Sequence, residues 1–391
     1  MTPSARLQMA IDILEGMANG TEPADRFLKE WFRTRRFAGS GDRRQIGETV
    51  FRVLRHKASL GWRMGREGPR ALVIASLLED GADIASLFSG GGYGPEPLSQ
   101  AEQALIADGQ KPPPQWVQGE YPEWLEGELT RRFGDALLAE MKAFTERAPV
   151  DLRVNTLKAN RDDVLAQLKQ DGFDVSPIGT LGIRLPPGTA NLNKHALFES
   201  GAFEVQDLAA QIASERAAAQ PGMRVLDLTA GAGGKSLALA AAMQNKGEII
   251  ACDVRGAALA ELEKRKLRAG VSIIKTHILG LPPAGPFDLV FVDAPCSGSG
   301  TWRRQPELKW RLTQRRLTDL MQTQDRLLAQ AAPLGGRLVY ATCSILPPEN
   351  EDRVTAFLAK NQAFARDAAD FQASPASTGS DGFYAAFLTR N

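Results

Sequence analysis

Two of the three cysteines in this 391-residue sequence follow apolar, strand-like runs. Cys296 ends a run that begins at residue 289, and it stands three positions after Asp293. Cys343 ends a run that begins at residue 338. Apolar runs that end in turn-forming residues predict strands, so each cysteine is expected at the carboxyl end of a strand. Ligands of open α/β sheets bind at that edge. Two thiols and an aspartate there indicate covalent chemistry on a substrate.

A glycine-rich segment between residues 225 and 236 predicts a strand, a tight turn and the start of a helix. Glycines let the backbone approach a ligand, and the helix N-terminus offers free N–H groups. Three ligand classes use such a turn. A phosphate loop requires glycine where Thr229 stands, and a dinucleotide loop requires glycine where Ser236 stands, so both matches are partial.

The third ligand class is S-adenosylmethionine. Asp227 ends the first predicted strand, and Asp253 ends the next one, where a carboxylate can accept hydrogen bonds from ribose hydroxyls. A carboxylate beside the loop suits a cationic methionine group better than a polyphosphate. The electrostatics therefore favour the methyl donor over the two alternatives.

The composition is that of a soluble globular protein, with 43% hydrophobic and 24% charged residues. No apolar run approaches the roughly 18 residues of a membrane helix, and no signal-peptide core is evident near the N-terminus. An odd cysteine count without C-x-x-C repeats or histidine clusters predicts free thiols and no metal site. We therefore expect a cytoplasmic protein, and we expect a monomer.

Positive charge is concentrated near the N-terminus. Between Arg26 and Arg70 there are 13 Lys and Arg against 4 Asp and Glu, whereas the whole chain has a net charge of +1. A basic stretch rich in arginine favours phosphate contacts and predicts a nucleic-acid-binding face, although a solvated helical surface is the alternative.

The chain is predicted to have three parts. Helical spacing of apolar residues dominates residues 1–148, and a small α/β region follows at 149–221. Strands and helices then alternate through residues 222–391, which predicts a doubly wound parallel sheet. Trp302 and Trp310 in this last part could stack on a base or simply pack.

Taken together, these segments resemble the Sun-type RNA (cytosine-5)-methyltransferases, especially the RsmB-like ribosomal RNA enzymes. The resemblance covers most of the chain. It rests on the glycine loop, on the Asp-Ala-Pro-Cys segment at 293–296, on Thr-Cys-Ser at 342–344 and on Pro-Glu-Asn-Glu at 348–351. The loop departs from the family pattern at Thr229, Gly231 and Ala232, and residues 275–279 lack the usual acid near adenine.

The resemblance implies a Rossmann-like class I methyltransferase domain, preceded by the small α/β subdomain and an all-helical, NusB-like RNA-binding domain. Cys343 would attack C6 of cytosine, Cys296 would help release, Asp293 would hydrogen-bond the base, and Lys235 would aid thiolate formation or hold base and donor. The expected cofactor site comprises Asp227, Thr229, Ala230, Gly231, Ala232, Gly233, Gly234, Lys235, Asp253 and Asp293. The expected RNA contacts are Arg35, Arg36, Arg43, Arg153, Asn155, Arg303 and Arg304.

The predicted function is methyl transfer from S-adenosylmethionine to C5 of a cytosine in RNA, most simply 16S ribosomal RNA. Two alternatives stay open from the residues. The altered loop and the missing acid would also fit a non-catalytic RNA-binding assembly factor, and the Gly-Lys-Ser segment at 234–236 would fit a P-loop NTPase.

Overall fold

The computed structural model describes residues 1–18, 20–108, 112–278, 280 and 283–391. Leu279, in the segment predicted to lie near adenine, is outside these ranges. The chain divides into two compact units: Met1–Glu146 with Trp302–Arg311, and Arg147–Thr301 with Leu312–Asn391. The segment Trp302–Arg311 thus groups with the first unit, although residues 222–391 are contiguous in the domain prediction.

The regular elements of the first unit are all helices within the described residues, as predicted for the N-terminal part. Its α-helices are α1 Pro3–Ala18, α2 Ala24–Arg33, α3 Ser40–Arg55, α4 Lys57–Met64, α5 Pro69–Glu79, α6 Ile84–Leu87, α7 Gln100–Ala107, α8 Gln115–Gln118, α9 Glu126–Phe133, α10 Leu137–Ala143 and α16 Glu307–Arg311. Apolar residues at helical spacing, including Ile13, Ile46 and Val73, are fully buried where α1, α3 and α5 pack together. A capping box between Ser99 and Glu102 begins α7.

The inserted segment contributes two tryptophans and a lysine to the core of this unit. Trp302 is fully buried and meets the Phe144 ring edge-on, with centroids 6.0 Å apart. Trp310 donates its indole N–H to a carbonyl oxygen of α3 at 2.6 Å. The Lys309 ammonium lies 5.6 Å and 5.3 Å from the two indole rings, and burial lowers its pKa to about 8. Both tryptophans therefore pack rather than stand ready to stack on a base.

The second unit begins with a small antiparallel sheet of strand order β2-β3-β1-β4. Its elements are β1 Val150–Val154, α11 Arg161–Gln170, β2 Ser176–Ile178, β3 Gly182–Leu185, α12 Ala196–Glu199, β4 Phe203–Val205 and α13 Leu208–Arg216. Asn160 caps α11, because its side chain accepts the Asp163 N–H at 2.9 Å. The Asp207 carboxylate caps α13 by accepting the Ala209 N–H at 2.9 Å.

The large sheet of the second unit has the order β10-β12-β9-β8-β5-β6-β7, with β11 paired to β12. Its strands are β5 Arg224–Asp227, β6 Glu248–Asp253, β7 Ile274–Ile278, β8 Leu289–Asp293, β9 Arg337–Thr342, β10 Phe364–Arg366, β11 Phe371–Ala373 and β12 Phe383–Arg390. The accompanying helices are α14 Gly234–Ala242, α15 Gly256–Ala269, α17 Gln314–Ala331, α18 Glu351–Lys360 and α19 Pro375–Thr378. Strands β5 to β9 pair in parallel, whereas β12 runs antiparallel to β9. The predicted Rossmann-like fold is confirmed.

Polar groups join the small sheet to helix α15 within the second unit. The Glu204 carboxylate is buried and pairs with Arg265 at 2.9 Å and Arg268 at 2.6 Å. Gly201 lets the chain pass close to the end of α15, since a Cβ at this position would lie 2.0 Å from the Arg268 carbonyl oxygen. These contacts fix the position of the small sheet beside the glycine loop.

Candidate active site

The two predicted catalytic thiols lie side by side. Cys296 follows β8 and Cys343 follows β9, and these strands are parallel neighbours. Their carboxyl ends therefore meet at one edge of the sheet, where the Cys296 and Cys343 Sγ atoms are 3.3 Å apart. Both cysteines are free and only partly buried. Both thiols thus lie at the carboxyl ends of neighbouring strands, where the sequence places them.

Lys235 and Asp293, also predicted as catalytic, form an ion pair beside the thiols. The Lys235 Nζ donates to Asp293 Oδ2 at 2.6 Å. Burial acts to lower the pKa of Lys235, but the negative charges of Asp293, Cys343 and Asp227 outweigh it and leave the pKa above its ordinary value. Lys235 is therefore a fixed cation at the site rather than a base.

The two thiols differ in their surroundings. The hydrogen bond with Cys343, then burial, then the negative charges of Cys343 and Glu349 hold the pKa of the Cys296 thiol well above its ordinary value. Lys235, by contrast, is the cation whose charge couples to Cys343. The two thiols therefore differ in the charged groups that lie beside them.

The glycine loop connects β5 to α14 next to these side chains. Gly231 and Gly233 have φ values of +57° and +82°, a region that favours glycine. A Cβ on Gly233 would lie 2.0 Å from Leu262 Cδ1, so the loop passes directly over α15. Ala230 donates its N–H to the Cys252 carbonyl oxygen at 2.7 Å, and the Ala232 carbonyl accepts from Arg265 at 2.8 Å. Backbone conformation and backbone hydrogen bonds therefore determine the shape of this turn. Helix α14 begins directly after it, at Gly234.

Asp227 and Thr229 supply polar atoms that suit the methyl donor. Asp227 is fully buried and accepts a 2.6 Å hydrogen bond from Ser236, and burial raises its pKa to about 6. Asp227 Oδ1 and Thr229 Oγ1 are two of the buried side-chain atoms that have no hydrogen-bond partner among the described residues. Buried polar atoms normally have partners, so these two fit a ligand that carries donors and positive charge. S-adenosylmethionine meets that requirement better than a polyphosphate.

Asp253 ends β6, where the ribose is expected. Its Oδ2 accepts the Gly231 N–H at 2.8 Å, and its Oδ1 accepts from the Arg255 N–H at 2.8 Å and from the Arg255 guanidinium at 3.1 Å. Burial acts to raise its pKa, but these hydrogen bonds leave the pKa below its ordinary value. Asp253 is therefore an ionised acceptor, and a ribose hydroxyl would share it with Arg255, a side chain that the sequence did not single out.

Two of the predicted RNA contacts are buried within the second unit. Arg153 donates to Gln206 Oε1 at 2.6 Å, and burial lowers its pKa to about 10. The Asn155 amide donates to the carbonyl oxygens of Gly201 and Ala269, both at 2.9 Å. Neither side chain is presented to solvent, so the structure does not support phosphate contacts at these positions. A sequence pattern cannot distinguish a buried arginine from an exposed one in a short strand.

The remaining predicted RNA contacts lie in the first unit. Arg36 is exposed, and Arg35 is half-buried with its guanidinium 3.7 Å from the Trp31 ring centroid. Arg43 donates to the Ala38 carbonyl oxygen at 2.7 Å. Arg303 is buried, whereas Arg304 is exposed. Among these five arginines, Arg36 and Arg304 have the most accessible side chains, and RNA binding by any of them stays a prediction.

Comparison with known proteins identifies the family. Residues 216–389 match the family described as 16S rRNA methyltransferase RsmB/F, and residues 121–189 match the RsmF/B-like ferredoxin-like domain. The ribosomal RNA small subunit methyltransferase B of Sodalis glossinidius is 32% identical over 316 residues, which are 75% of this chain and 70% of that protein. The chain belongs to the RsmB/F methyltransferase family. This family is S-adenosylmethionine-dependent, which confirms the predicted enzyme class and cofactor.

Other members of the family are similar over shorter or equal lengths. The enzyme of Cronobacter sakazakii is 31% identical over 313 residues, 75% of this chain and 71% of that protein. The probable methyltransferase B of Synechocystis sp. is 34% identical over 250 residues, 61% of this chain and 56% of that protein. The chain therefore spans little more than half of that relative and about 70% of the other two.

Solved structures share the fold of this RsmB/F chain. The crystal structure of PH0851 has a TM-score of 0.79 and 24% identity, covering 100% of this chain and 99% of that one. NSun6 from Pyrococcus horikoshii with SFG has a TM-score of 0.63 and 20% identity, covering 69% of this chain and 98% of that one. At these identities the likeness concerns the fold alone.

Two further findings concern the described residues of this family member as a whole. No group of three or more His, Cys, Asp or Glu side chains there is arranged to hold a metal ion. None of the helices described has the length and apolar character needed to cross a membrane.

Proposed function

We propose that this protein transfers a methyl group from S-adenosylmethionine to C5 of a cytosine in RNA, with 16S ribosomal RNA as the substrate. The observation that carries the proposal is the 3.3 Å approach of the Cys296 and Cys343 sulfurs, beside the Lys235–Asp293 ion pair and the glycine loop. The relatives of this chain are named ribosomal RNA small subunit methyltransferases, which supports the choice of substrate.

The chemistry requires a nucleophile because C5 of cytosine reacts poorly with a methyl donor. Addition of the Cys343 thiolate to C6 moves electrons onto C5, which can then take the methyl group. S-adenosylmethionine, when bound, supplies that methyl group on a sulfonium. Loss of the C5 proton to a base and cleavage of the bond between C6 and the sulfur restore the aromatic ring and free Cys343.

The surrounding side chains have distinct parts in this scheme. The Lys235 cation stabilises the Cys343 thiolate, since a free cysteine with a pKa near 8.5 is only a few per cent ionised at neutral pH. Asp293, held by Lys235, accepts a hydrogen bond from the base as charge develops during attack. Cys296 stands next to the sulfur that must leave and assists the release step.

The target cytosine must leave its base stack, which costs a few kcal/mol in a folded RNA and about nothing in a single strand. Phosphate contacts from the basic first unit would offset that cost. We also propose that the enzyme acts as a monomer in the cytoplasm, where it would meet ribosomal RNA. Size-exclusion chromatography with light scattering tests the oligomeric state.

Substitution of each cysteine tests the covalent mechanism. With labelled S-adenosylmethionine and unmodified ribosomal RNA, Cys343→Ala should lose methyl incorporation by at least about 100-fold. Cys296→Ala should accumulate a protein–RNA adduct that survives a denaturing gel. Cys252→Ala is the matched control, because Cys252 is fully buried in the core and should leave incorporation unchanged apart from a modest loss of stability.

Two outcomes would contradict the assignment. Undiminished incorporation by Cys343→Ala would exclude that residue as the nucleophile, and absence of adduct with Cys296→Ala would exclude its part in release. Bisulfite sequencing of RNA from cells with and without the gene would then identify the modified cytosine.

A non-catalytic RNA-binding assembly factor is the second candidate function. The observation in its favour is that the Arg255 guanidinium already donates to both oxygens of the Asp253 carboxylate, which is expected to bind the ribose. Calorimetry distinguishes the two, since an assembly factor without donor binding would give no heat with S-adenosylmethionine at millimolar concentration.

A further inference from the structure

Each catalytic cysteine is followed by a buried serine, and the two serines converge on one carboxylate. Ser297 Oγ donates to Glu349 Oε2 at 2.5 Å, and Ser344 Oγ donates to the same oxygen at 2.6 Å. The two hydroxyls are themselves 3.4 Å apart. A single side chain therefore contacts the loop of Cys296 and the loop of Cys343 at corresponding positions.

The other oxygen of Glu349 is equally engaged. Oε1 accepts the Ser297 backbone N–H at 2.8 Å and the Gln324 side-chain amide at 3.0 Å. Glu349 is fully buried, so its carboxylate receives four donors and no solvent. Burial raises its pKa, while the bonds from Ser297, Ser344 and Gln324 oppose that rise. Four donors match the acceptor capacity of a carboxylate, so the Glu349 side chain is held by a complete set of hydrogen bonds.

Glu349 is also fixed from behind. The Tyr340 hydroxyl donates to the Glu349 carbonyl oxygen at 2.6 Å. The neighbouring Asn350 accepts from Thr342 Oγ1 at 2.5 Å and donates to the Ser344 carbonyl oxygen at 2.9 Å. These bonds join Glu349 and Asn350 to residues on both sides of Cys343. Glu349 therefore cannot move with one loop alone.

We propose that Glu349 is the positioning residue that holds the Cys296 and Cys343 loops in register, so that the two sulfurs face one substrate atom at contact distance. Glu349 does not touch the substrate and acts through Ser297 and Ser344. This inference deepens the proposed function and rests on it for its catalytic consequence. Its geometric consequence, the closeness of the two thiols, can be measured without RNA or methyl donor.

The geometric test measures how readily the two thiols form a disulfide. Two free thiols and one oxidised glutathione exchange to give a protein disulfide and two reduced glutathione molecules, and the equilibrium constant reports the effective concentration of the pair. We expect Glu349→Ala to lower the equilibrium constant for the Cys296–Cys343 disulfide at least tenfold. Glu351→Gln, an acid-to-amide change two residues away that leaves the serines untouched, should stay within twofold of the parent protein.

A second variant covers the case in which Glu349→Ala does not fold. The double variant Ser297→Ala with Ser344→Ala keeps the carboxylate but removes both hydroxyl donors, and it should lower the same constant several-fold. A folded Glu349→Ala or serine double variant whose disulfide constant remains within twofold of the parent would overturn the proposal. Mass mapping of the disulfide confirms that Cys252 does not take part.

The catalytic test uses RNA that carries 5-fluorocytidine, in which loss of the C5 proton is blocked and the adduct accumulates. Glu349→Ala should lower the rate of adduct formation at least tenfold at saturating S-adenosylmethionine, with KM for the donor within twofold of the parent. An unchanged adduct rate would overturn the positioning role. If the parent protein forms no adduct with any RNA, the proposed function fails, whereas the disulfide measurement still decides whether Glu349 positions the thiols.

Discussion

Charge compensation at single residues explains why this site can hold two thiols, two carboxylates and one lysine. The negative charges of Asp293, Cys343 and Asp227 favour the charged form of Lys235. The pKa of Cys296 is raised by the hydrogen bond with Cys343, by burial and by the charge of Glu349, against an opposing backbone hydrogen bond from Gly298. Their sequence positions are far apart, so only the strand ends bring them together. Motif spacing predicts their types and their sheet edge, but it does not predict that Lys235 and Asp293 bind one another.

Asp227 is a residue whose burial should cost stability in the free protein. Its folded pKa of about 6 lies above the unfolded value near 3.9, so its contribution to stability is complete below about pH 4 and is lost as the pH rises through 6. Asp227→Asn should therefore raise the free energy of unfolding at pH 7.5 by about 1–3 kcal/mol, with the gain shrinking toward pH 4. Urea unfolding at pH 7.5 and pH 4.5 measures this difference.

The same substitution should weaken binding of the methyl donor, because it removes a carboxylate beside a cationic ligand. The melting temperature of Asp227→Asn should rise little on addition of S-adenosylmethionine, compared with a clear rise for the parent. Asp319→Asn, an exposed position on α17, serves as the control for both measurements. A less stable Asp227→Asn protein at pH 7.5 would refute the reasoning from burial.

At the scale of elements, sequence patterns predict the central strands and miss two short strands, β10 and β11. The strands β5, β6, β8 and β9 are continuous apolar runs flanked by turn residues, and they are buried on both faces as such runs predict. Strands β10 and β11 are three residues each, too short for any periodicity to appear. Their pairing with β12 depends on tertiary contacts, which a local pattern does not contain.

Element packing also explains why two predicted RNA contacts are internal. The Asn155 side chain joins the end of β1 to the turn at Gly201 and to the end of α15. It therefore stabilises the junction of these elements and does not form part of a surface. The residue type and its place in the sequence do not distinguish a junction between elements from a binding surface. Burial in the assembled unit makes that distinction.

Asn155→Ala should therefore act on stability. The substitution removes three hydrogen bonds: the two donated to the Gly201 and Ala269 carbonyl oxygens and the one that Asn155 Oδ1 accepts from the Leu157 N–H. We expect a loss of about 1–3 kcal/mol in the free energy of unfolding. RNA affinity, measured by fluorescence anisotropy well below the melting temperature, should remain within twofold of the parent. A large loss of affinity with unchanged stability would restore Asn155 as an RNA contact.

Over the whole molecule, charge is divided between regions while the sum is close to neutral. The excess of nine positive charges between Arg26 and Arg70 is offset elsewhere, since the net charge is +1. Phosphate affinity should therefore depend on the first unit and donor binding on the second. Such a division lets each property be altered without the other.

Arg36 and Arg44 are exposed in this basic region and offer the sharpest test of it. The double variant Arg36→Glu with Arg44→Glu should weaken RNA binding at least about tenfold near 100 mM salt, and it should reduce the salt dependence of log Kd by about 2. Lys264→Glu, an exposed change on α15, is the matched control. Donor affinity should be the same in all three proteins, and an unaltered salt slope in the double variant would place RNA binding elsewhere.

The segment Trp302–Arg311 has a consequence for how such proteins can be rearranged. The polypeptide crosses from one unit to the other three times, after residues 146, 301 and 311. A gene fusion at a single site would join a foreign helical unit to the second unit of this protein. The second unit would then still carry Trp302, Lys309 and Trp310, but the helices against which these side chains pack would be absent. Exchange of either unit between relatives therefore demands two coordinated replacements, and the pair should have been inherited together.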